Sequence, residues 1–215
     1  METYFSYGEK EIVYLKSKDK RFRSVIEQIG MVKRPVIPDL FAALVYTIIG
    51  QQISTKAHTT IWRKMQETLG DISPSKILSL DPDSLQSFGL TFRKVAYIRD
   101  AASKVYAGNF DIKSLYAMTD EEVCKRLSEL KGIGVWSAEM LMLFSMQRPN
   151  ILSYGDLAIQ RGLRMIYHHR EISREKFEMY RRRFSPYGSV ASFYIWAVAG
   201  GAIEGMKDYA PKTKK

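Results

Sequence analysis

Apolar residues recur at Phe41, Leu44, Val45, Ile48 and Ile49, the i, i+3, i+4, i+7, i+8 spacing of a helix with one buried face, directly after the breaker RPVIPD. A second stripe, Val95, Ile98, Ala102 and Val105, predicts another helix, with Thr91 placed to cap it and Gly108 and Asn109 to stop it. Arg93, Lys94, Arg99 and Lys104 fall off that stripe and are expected to project away from it. Thr119 and Glu122 match a capping box ahead of Val123, Leu127 and Leu130. Past two glycines, at 132 and 134, Ala138, Leu141, Met142 and Ser145 resume helical spacing, and Pro149 is expected to end the segment. The stretch LKGIGVWSAEM, residues 130–140, therefore reads as the corner of a helix, short hairpin, helix unit.

Three later segments, DLAIQRGLRMIYHH, SREKFEMYRRRF and GSVASFYIWAVAG, also read as helices, the last too long and too apolar for an ordinary strand. No strand pattern and no internal repeat stand out, and biased composition is confined to the basic tail PKTKK. The expectation is an all-α fold of about ten helices, from length and mean helix size.

Composition narrows the function. A chain of 215 residues, 46% hydrophobic, can bury a substantial core, and 33 Lys and Arg against 23 Asp and Glu leave a net +10 that favours a polyanionic partner. Cys124 is the only cysteine, which excludes an intrachain disulfide, a four-cysteine zinc site and a cysteine-ligated iron–sulfur cluster, and fits a reducing cytoplasm. The longest apolar run, LFAALVYTIIG, is too short to cross a bilayer, so neither export nor a membrane partner is expected.

Gly132 and Gly134 leave backbone bare in front of a helix whose first N–H groups have no partner within it, an arrangement suited to a phosphate. Carbonyls upstream in the same turn can converge on a monovalent cation. An ordinary helix corner with a C′ glycine is the alternative reading of the same spacing. Asp156 stands where it can cap the helix of Leu157, Ile159, Leu163 and Ile166, and backbone N–H groups there would fix its carboxylate in direction.

The segment LKGIGVWSAEM followed by RPNILSYGDLAIQRG resembles the helix-hairpin-helix (HhH-GPD) DNA glycosylase superfamily, specifically its 3-methyladenine DNA glycosylase II branch. FAALVYTIIGQQIS at 41–54, GLTFRKVAYI at 89–98 and SPYGSVASFYIW at 185–196 match family segments in the same order, so the likeness covers nearly the whole chain. It implies a single module over 1–215 with two all-α lobes, 40–148 ending in the hairpin and 1–39 with 149–215, and a cleft between them. It also implies the short form, without the N-terminal β-rich domain of longer relatives, acting as a monomer on double-stranded DNA that contains damaged bases.

On this resemblance Asp156 is the catalytic carboxylate. Cleavage of an N-glycosidic bond builds positive charge on the deoxyribose, which one carboxylate beneath C1′ stabilises while it orients or deprotonates the attacking water. An alkylated purine is already cationic and needs little help to leave. Branches that also cut the strand carry a lysine nucleophile where this chain has Trp136, so a monofunctional enzyme leaving an abasic site is expected, with alkylated purines of the 3-methyladenine and 7-methylguanine type as substrates. Glycosylases for oxidised bases and a non-catalytic DNA-binding module are the rival readings.

The resemblance further assigns Trp136, Trp196 and Gln51 to the pocket for the flipped base, with Tyr187 and Tyr194 as weaker candidates. Gly132, Ile133 and Gly134 fall at the DNA grip. Gln52 aligns with the residue that fills the gap in the duplex, where some relatives use an aliphatic side chain, with Gln51 or a neighbour as substitutes. No cofactor is required for the chemistry; a structural Na+ or K+ would lie on the main-chain carbonyls of Ser128, Leu130 and Ile133. Gly188, where relatives often have arginine, and Met140, where longer relatives have an aromatic, depart from the pattern. Arg161, Arg164, Arg181, Arg182 and Arg183 are candidate phosphate contacts or a solvated face. Glu139, Trp62, His58, His168 and His169 read as structural or surface residues.

Overall fold

Each periodic segment folds as a helix. The structure, a computed structural model, describes residues 3–211, so the lysines that close the basic tail lie outside the described residues. Among those described, twelve α-helices and one 3-10 turn at Ser114–Ala117 make up nearly all the regular structure, two α-helices more than mean helix size predicts. The chain divides into two compact units, one spanning Ile37–Met146 and the other uniting the chain before Ile37 with the chain after Met146.

In the first unit α3 (Leu40–Gly50) starts on the Asp39 side chain, which accepts the Ala42 N–H at 2.7 Å, and buries Leu44, Val45, Ile48 and Ile49 completely. Around it pack α4 (Thr55–Leu69), α7 (Phe92–Tyr106) and α9 (Val135–Phe144). The short helices α5 (Pro74–Ser79) and α6 (Pro82–Ser87), each opened by a proline in its first turn, lie against α7. Thr91 caps α7, and the Thr119–Glu122 box opens α8 (Asp120–Leu127), both as the spacing predicts. The helix after the hairpin stops sooner than Pro149 suggests: the Phe144 carbonyl accepts the Ile37 N–H at 2.9 Å, and Ser145 bonds the Pro38 carbonyl. The chain at Ile37 and Pro38, distant in sequence, captures the helix end before the proline is reached.

The second unit contains α1 (Glu9–Lys18), α2 (Lys20–Ile29), α10 (Leu157–Tyr167), α11 (Arg174–Phe184) and α12 (Gly188–Ala199). α12 is buried almost all round, and its polar residues are satisfied locally: Ser192 Oγ donates to the Ile151 carbonyl at 2.9 Å, and Ser189 Oγ accepts the Ile151 N–H at 2.9 Å. α10 lies so close to α12 that a β-carbon on Gly162 would run into the Ile195 carbonyl. Tyr194 is fully buried with its hydroxyl on the Gly30 carbonyl at 3.0 Å, which makes it a core residue and removes it from the pocket candidates. The sequence shows no strand, yet Thr3–Tyr4 (β1) pairs antiparallel with Pro35–Val36 (β2). Two residues a side are too few for an alternating pattern to register.

Candidate functional site

In the second unit Asp156 is the N-cap of α10, 8% exposed. One carboxylate oxygen, Oδ1, accepts the Ala158 N–H at 2.8 Å and the Ile159 N–H at 2.9 Å. The same oxygen accepts the Trp196 indole N–H at 3.2 Å, delivered from α12. Three donors on one oxygen, at the positive end of a helix dipole, hold a negative charge in one direction without calling on water. Leu157, next in the chain, is 79% exposed and sets an apolar rim beside the charge. Trp196 is half-buried, and its hold on the carboxylate is a duty that the sequence does not reveal, because the partners are forty positions apart and only the packing of α10 on α12 joins them.

In the first unit the chain leaves α8 through Ser128, with Ile133 N–H donating back to the Leu130 carbonyl at 3.1 Å. The two hairpin glycines have different reasons to be there. Gly132 has φ +83°, and a β-carbon on it would run into the Tyr97 ring, so the fold itself requires glycine. Gly134 has extended backbone, and nothing lies within 4 Å of where its β-carbon would be. It is the N-cap of α9 and brings no side-chain cap to the first N–H groups of that helix. Ile133 is buried between them, so only its main chain is available to a ligand. Trp136, in the first turn of α9, is 45% exposed. Lys131 reaches Asp100 on α7 at 3.2 Å.

Gln51 ends α3, and its side-chain amide donates to the Gly132 carbonyl at 2.8 Å, tying the loop after α3 to the hairpin. Gln52 is exposed with φ +56°, a left-handed backbone that a glutamine rarely adopts, and Ile53 is 36% exposed beside it. Lys94 corrects the sequence reading. Instead of projecting away from the core it is 9% exposed, with Nζ donating to the carbonyls of Ile49 at 2.7 Å and Gln51 at 2.6 Å. These carbonyls are the negative end of α3, which draws an ammonium inward even though burial lowers its pKa.

The remaining candidates separate into engaged and open groups. Arg164 forms a two-pronged pair with Asp208 at 2.7 and 2.6 Å, Arg181 bonds Glu178, and Arg183 bonds Asp19, whereas Arg161 and Arg182 are exposed. Gly188 opens α12 with Asn150 Oδ1 3.0 Å from where a β-carbon would stand, so an arginine there would need its neighbour to move. Met140 is buried, Glu139 is half-buried, and Tyr187 meets Tyr14 edge-on at 5.1 Å. The histidines make structural contacts: His58 Nε2 pairs with the Tyr46 carbonyl at 2.9 Å, His169 with the Tyr180 hydroxyl at 2.7 Å, and the His168 ring lies tilted against Tyr209, centroids 4.6 Å apart. Trp62 is half-buried against Tyr46.

The carbonyls of Ser128, Leu130 and Ile133, the expected cation ligands, all lie in the turn between α8 and α9. The Leu130 oxygen already accepts one N–H, and a carbonyl has a second lone pair. Among the described residues no cluster of three His, Cys, Asp or Glu side chains offers an alternative metal site.

Residues 45–186 match the family described as HhH-GPD superfamily base excision DNA repair protein. A solved DNA-3-methyladenine glycosidase from Bacillus halodurans is 33% identical, with a TM-score of 0.82 over 96% of this chain and 97% of that one. DNA-3-methyladenine glycosylase 1 of Schizosaccharomyces pombe is 24% identical over 87% of this chain and 86% of its own length. A 3-methyladenine DNA glycosylase from Schizosaccharomyces pombe, solved in complex with abasic DNA, shares the fold at a TM-score of 0.77 and 22% identity, covering 89% of this chain and 97% of that one.

Proposed function

This chain belongs to the HhH-GPD superfamily of base excision DNA repair proteins, and we propose that it is a DNA glycosylase that hydrolyses alkylated purines from duplex DNA after flipping them out. The observation that carries this reading is the Asp156 carboxylate, fixed through one oxygen by the N–H groups of Ala158, Ile159 and Trp196. A carboxylate whose direction is set in advance stabilises a sugar cation without reorganising as the charge develops. The names of the relatives, 3-methyladenine glycosylases in both a bacterium and a yeast, support the alkylated-base class.

In this reading the chain acts without a covalent lysine intermediate. Trp136 stands at the lyase position, and its exposed indole offers a face on which a cationic base can stack. The products are a free base and an abasic site in an uncut strand. The hairpin grips the DNA backbone through the bare main chain at Gly134 and the first N–H groups of α9, and a Na+ or K+ ion on the Ser128, Leu130 and Ile133 carbonyls would add positive charge for phosphate there. The loop Gln51, Gln52, Ile53 fills the space left by the extruded base.

The test is a panel of duplexes carrying 3-methyladenine, 7-methylguanine or 8-oxoguanine, assayed for base release and then for strand cleavage with and without alkali. Release of the methylated purines, with cleavage only after alkali, is expected. Asp156→Asn keeps an oxygen to accept the three N–H groups but removes the charge, so stability and DNA binding should hold while release falls about a thousandfold or more. Undiminished release by the purified Asn variant would refute the assignment of Asp156, and spontaneous strand cleavage would refute the monofunctional reading.

A further inference from the structure

The loop after α3 carries an unusual local conformation that its own sequence does not favour. Gln52 is left-handed at φ +56° in the run GQQIS, with no glycine or asparagine at that position to make the geometry easy. Something beyond the loop must therefore hold it. Two contacts flank the Gln51–Gln52 peptide: the Gln51 carbonyl accepts Lys94 Nζ at 2.6 Å, and the Gln51 side chain donates to the Gly132 carbonyl at 2.8 Å. Lys94 also takes the Ile49 carbonyl at 2.7 Å, so one ammonium group grips the last turn of α3 and the first residue beyond it. The same face of α7 sets Tyr97 against Gly132 and Asp100 against Lys131, which makes α7 a common brace for the loop and the hairpin.

We propose that Lys94 is a positioning residue for base extrusion, its buried ammonium locking the Gln51–Ile53 loop in the shape that enters the duplex. Lys94 does not touch the substrate. It acts through the Gln51 carbonyl, so that the exposed side chains of Gln52 and Ile53 stand ready before DNA arrives, and the ordering of the loop need not be completed during flipping. This role rests on the glycosylase reading and on the loop being the element that fills the duplex.

The experiment compares single-turnover release of one methylated purine from two duplexes, one with the lesion fully paired and one with it in a bulge, where little stacking has to be broken. Lys94→Met loses both charge-assisted bonds and should slow release from the paired duplex about tenfold to a hundredfold while leaving the bulged substrate nearly unaffected. Lys94→Cys in a Cys124→Ser background, alkylated with 2-bromoethylamine, restores an ammonium at the same reach and should restore the paired rate. Equal loss on both substrates would make Lys94 a general fold residue and overturn the proposal, as would full activity on the paired duplex. If Lys94→Met melts below the assay temperature, Lys94→Gln, which keeps a donor, carries the same comparison. Failure of the unaltered protein to release the base from either duplex would sink the glycosylase reading itself, separately from the role of Lys94.

Discussion

Two glycines two residues apart invite the same substitution, and the structure expects opposite results. Alanine at 132 must take a left-handed backbone, which costs about 1–2 kcal/mol, and its β-carbon displaces the Tyr97 ring, which adds at least about 1 kcal/mol. A loss of about 2–3 kcal/mol lowers the melting temperature of a chain this size by about 4–12 °C. Alanine at 134 meets no atom within 4 Å on extended backbone. The poorer N-cap costs about 0.5–1 kcal/mol, and the stiffer unfolded chain returns about 0.4–1 kcal/mol, so melting should be nearly unchanged. Its methyl group, however, stands where a phosphate would approach the first turn of α9. Loss of that contact should weaken binding about tenfold while leaving the salt slope of log K nearly unchanged, because the donors are uncharged N–H groups that displace few counterions. Circular dichroism melts, with fluorescence anisotropy of a duplex containing an abasic analogue at several salt concentrations, measure both. Wild-type affinity in Gly134→Ala would refute the phosphate role, and wild-type melting in Gly132→Ala would refute the steric argument.

Two further outcomes follow from contacts in the second unit. Trp196→Phe removes the indole N–H from Asp156 Oδ1 while keeping an aromatic ring, so base release should fall about tenfold in single-turnover assays with little change in DNA binding; unchanged release would show that the indole N–H is dispensable. Arg164 holds the pKa of Asp208 below its ordinary carboxylate value, chiefly by hydrogen bonding, so the pair stabilises the fold above the unfolded value near 3.8 and loses that contribution as pH falls through the lower folded one. The melting difference between wild type and Asp208→Asn should therefore be full at neutral pH and shrink below about pH 4. A difference that persists in acid would point to packing in place of charge.

Short-range signals carried most of the architecture. Thr91, Thr119 with Glu122, and Asp156 cap the helices that their spacing predicts, because a cap and the stripe behind it lie within a few residues of each other. Departures occur where a distant partner decides. Lys94 reads as an outward charge on an amphipathic helix, but its long side chain folds back to carbonyls more than forty positions away. The early end of α9 is set by Ile37, and the fate of Tyr194 by the Gly30 carbonyl. At the hairpin the glycine pattern is visible in the chain, but the division of labour between Gly132 and Gly134 is not, since it depends on Tyr97 lying under one and open space beside the other.

The chain carries three tryptophans, and they sit in three different surroundings: Trp62 half-buried edge-on to Tyr46, Trp136 exposed on α9, and Trp196 with its indole on Asp156. That distribution gives the molecule native optical reporters. With Trp62 and Trp136 replaced by phenylalanine, the single remaining emitter touches the carboxylate itself, and its emission tracks what reaches that group without any dye attached to protein or DNA. The complementary variant, retaining Trp136 alone, watches the hairpin. Collisional quenching by acrylamide then sorts the two signals, stronger where the indole of Trp136 is open to solvent and weaker where that of Trp196 is half-buried against Asp156.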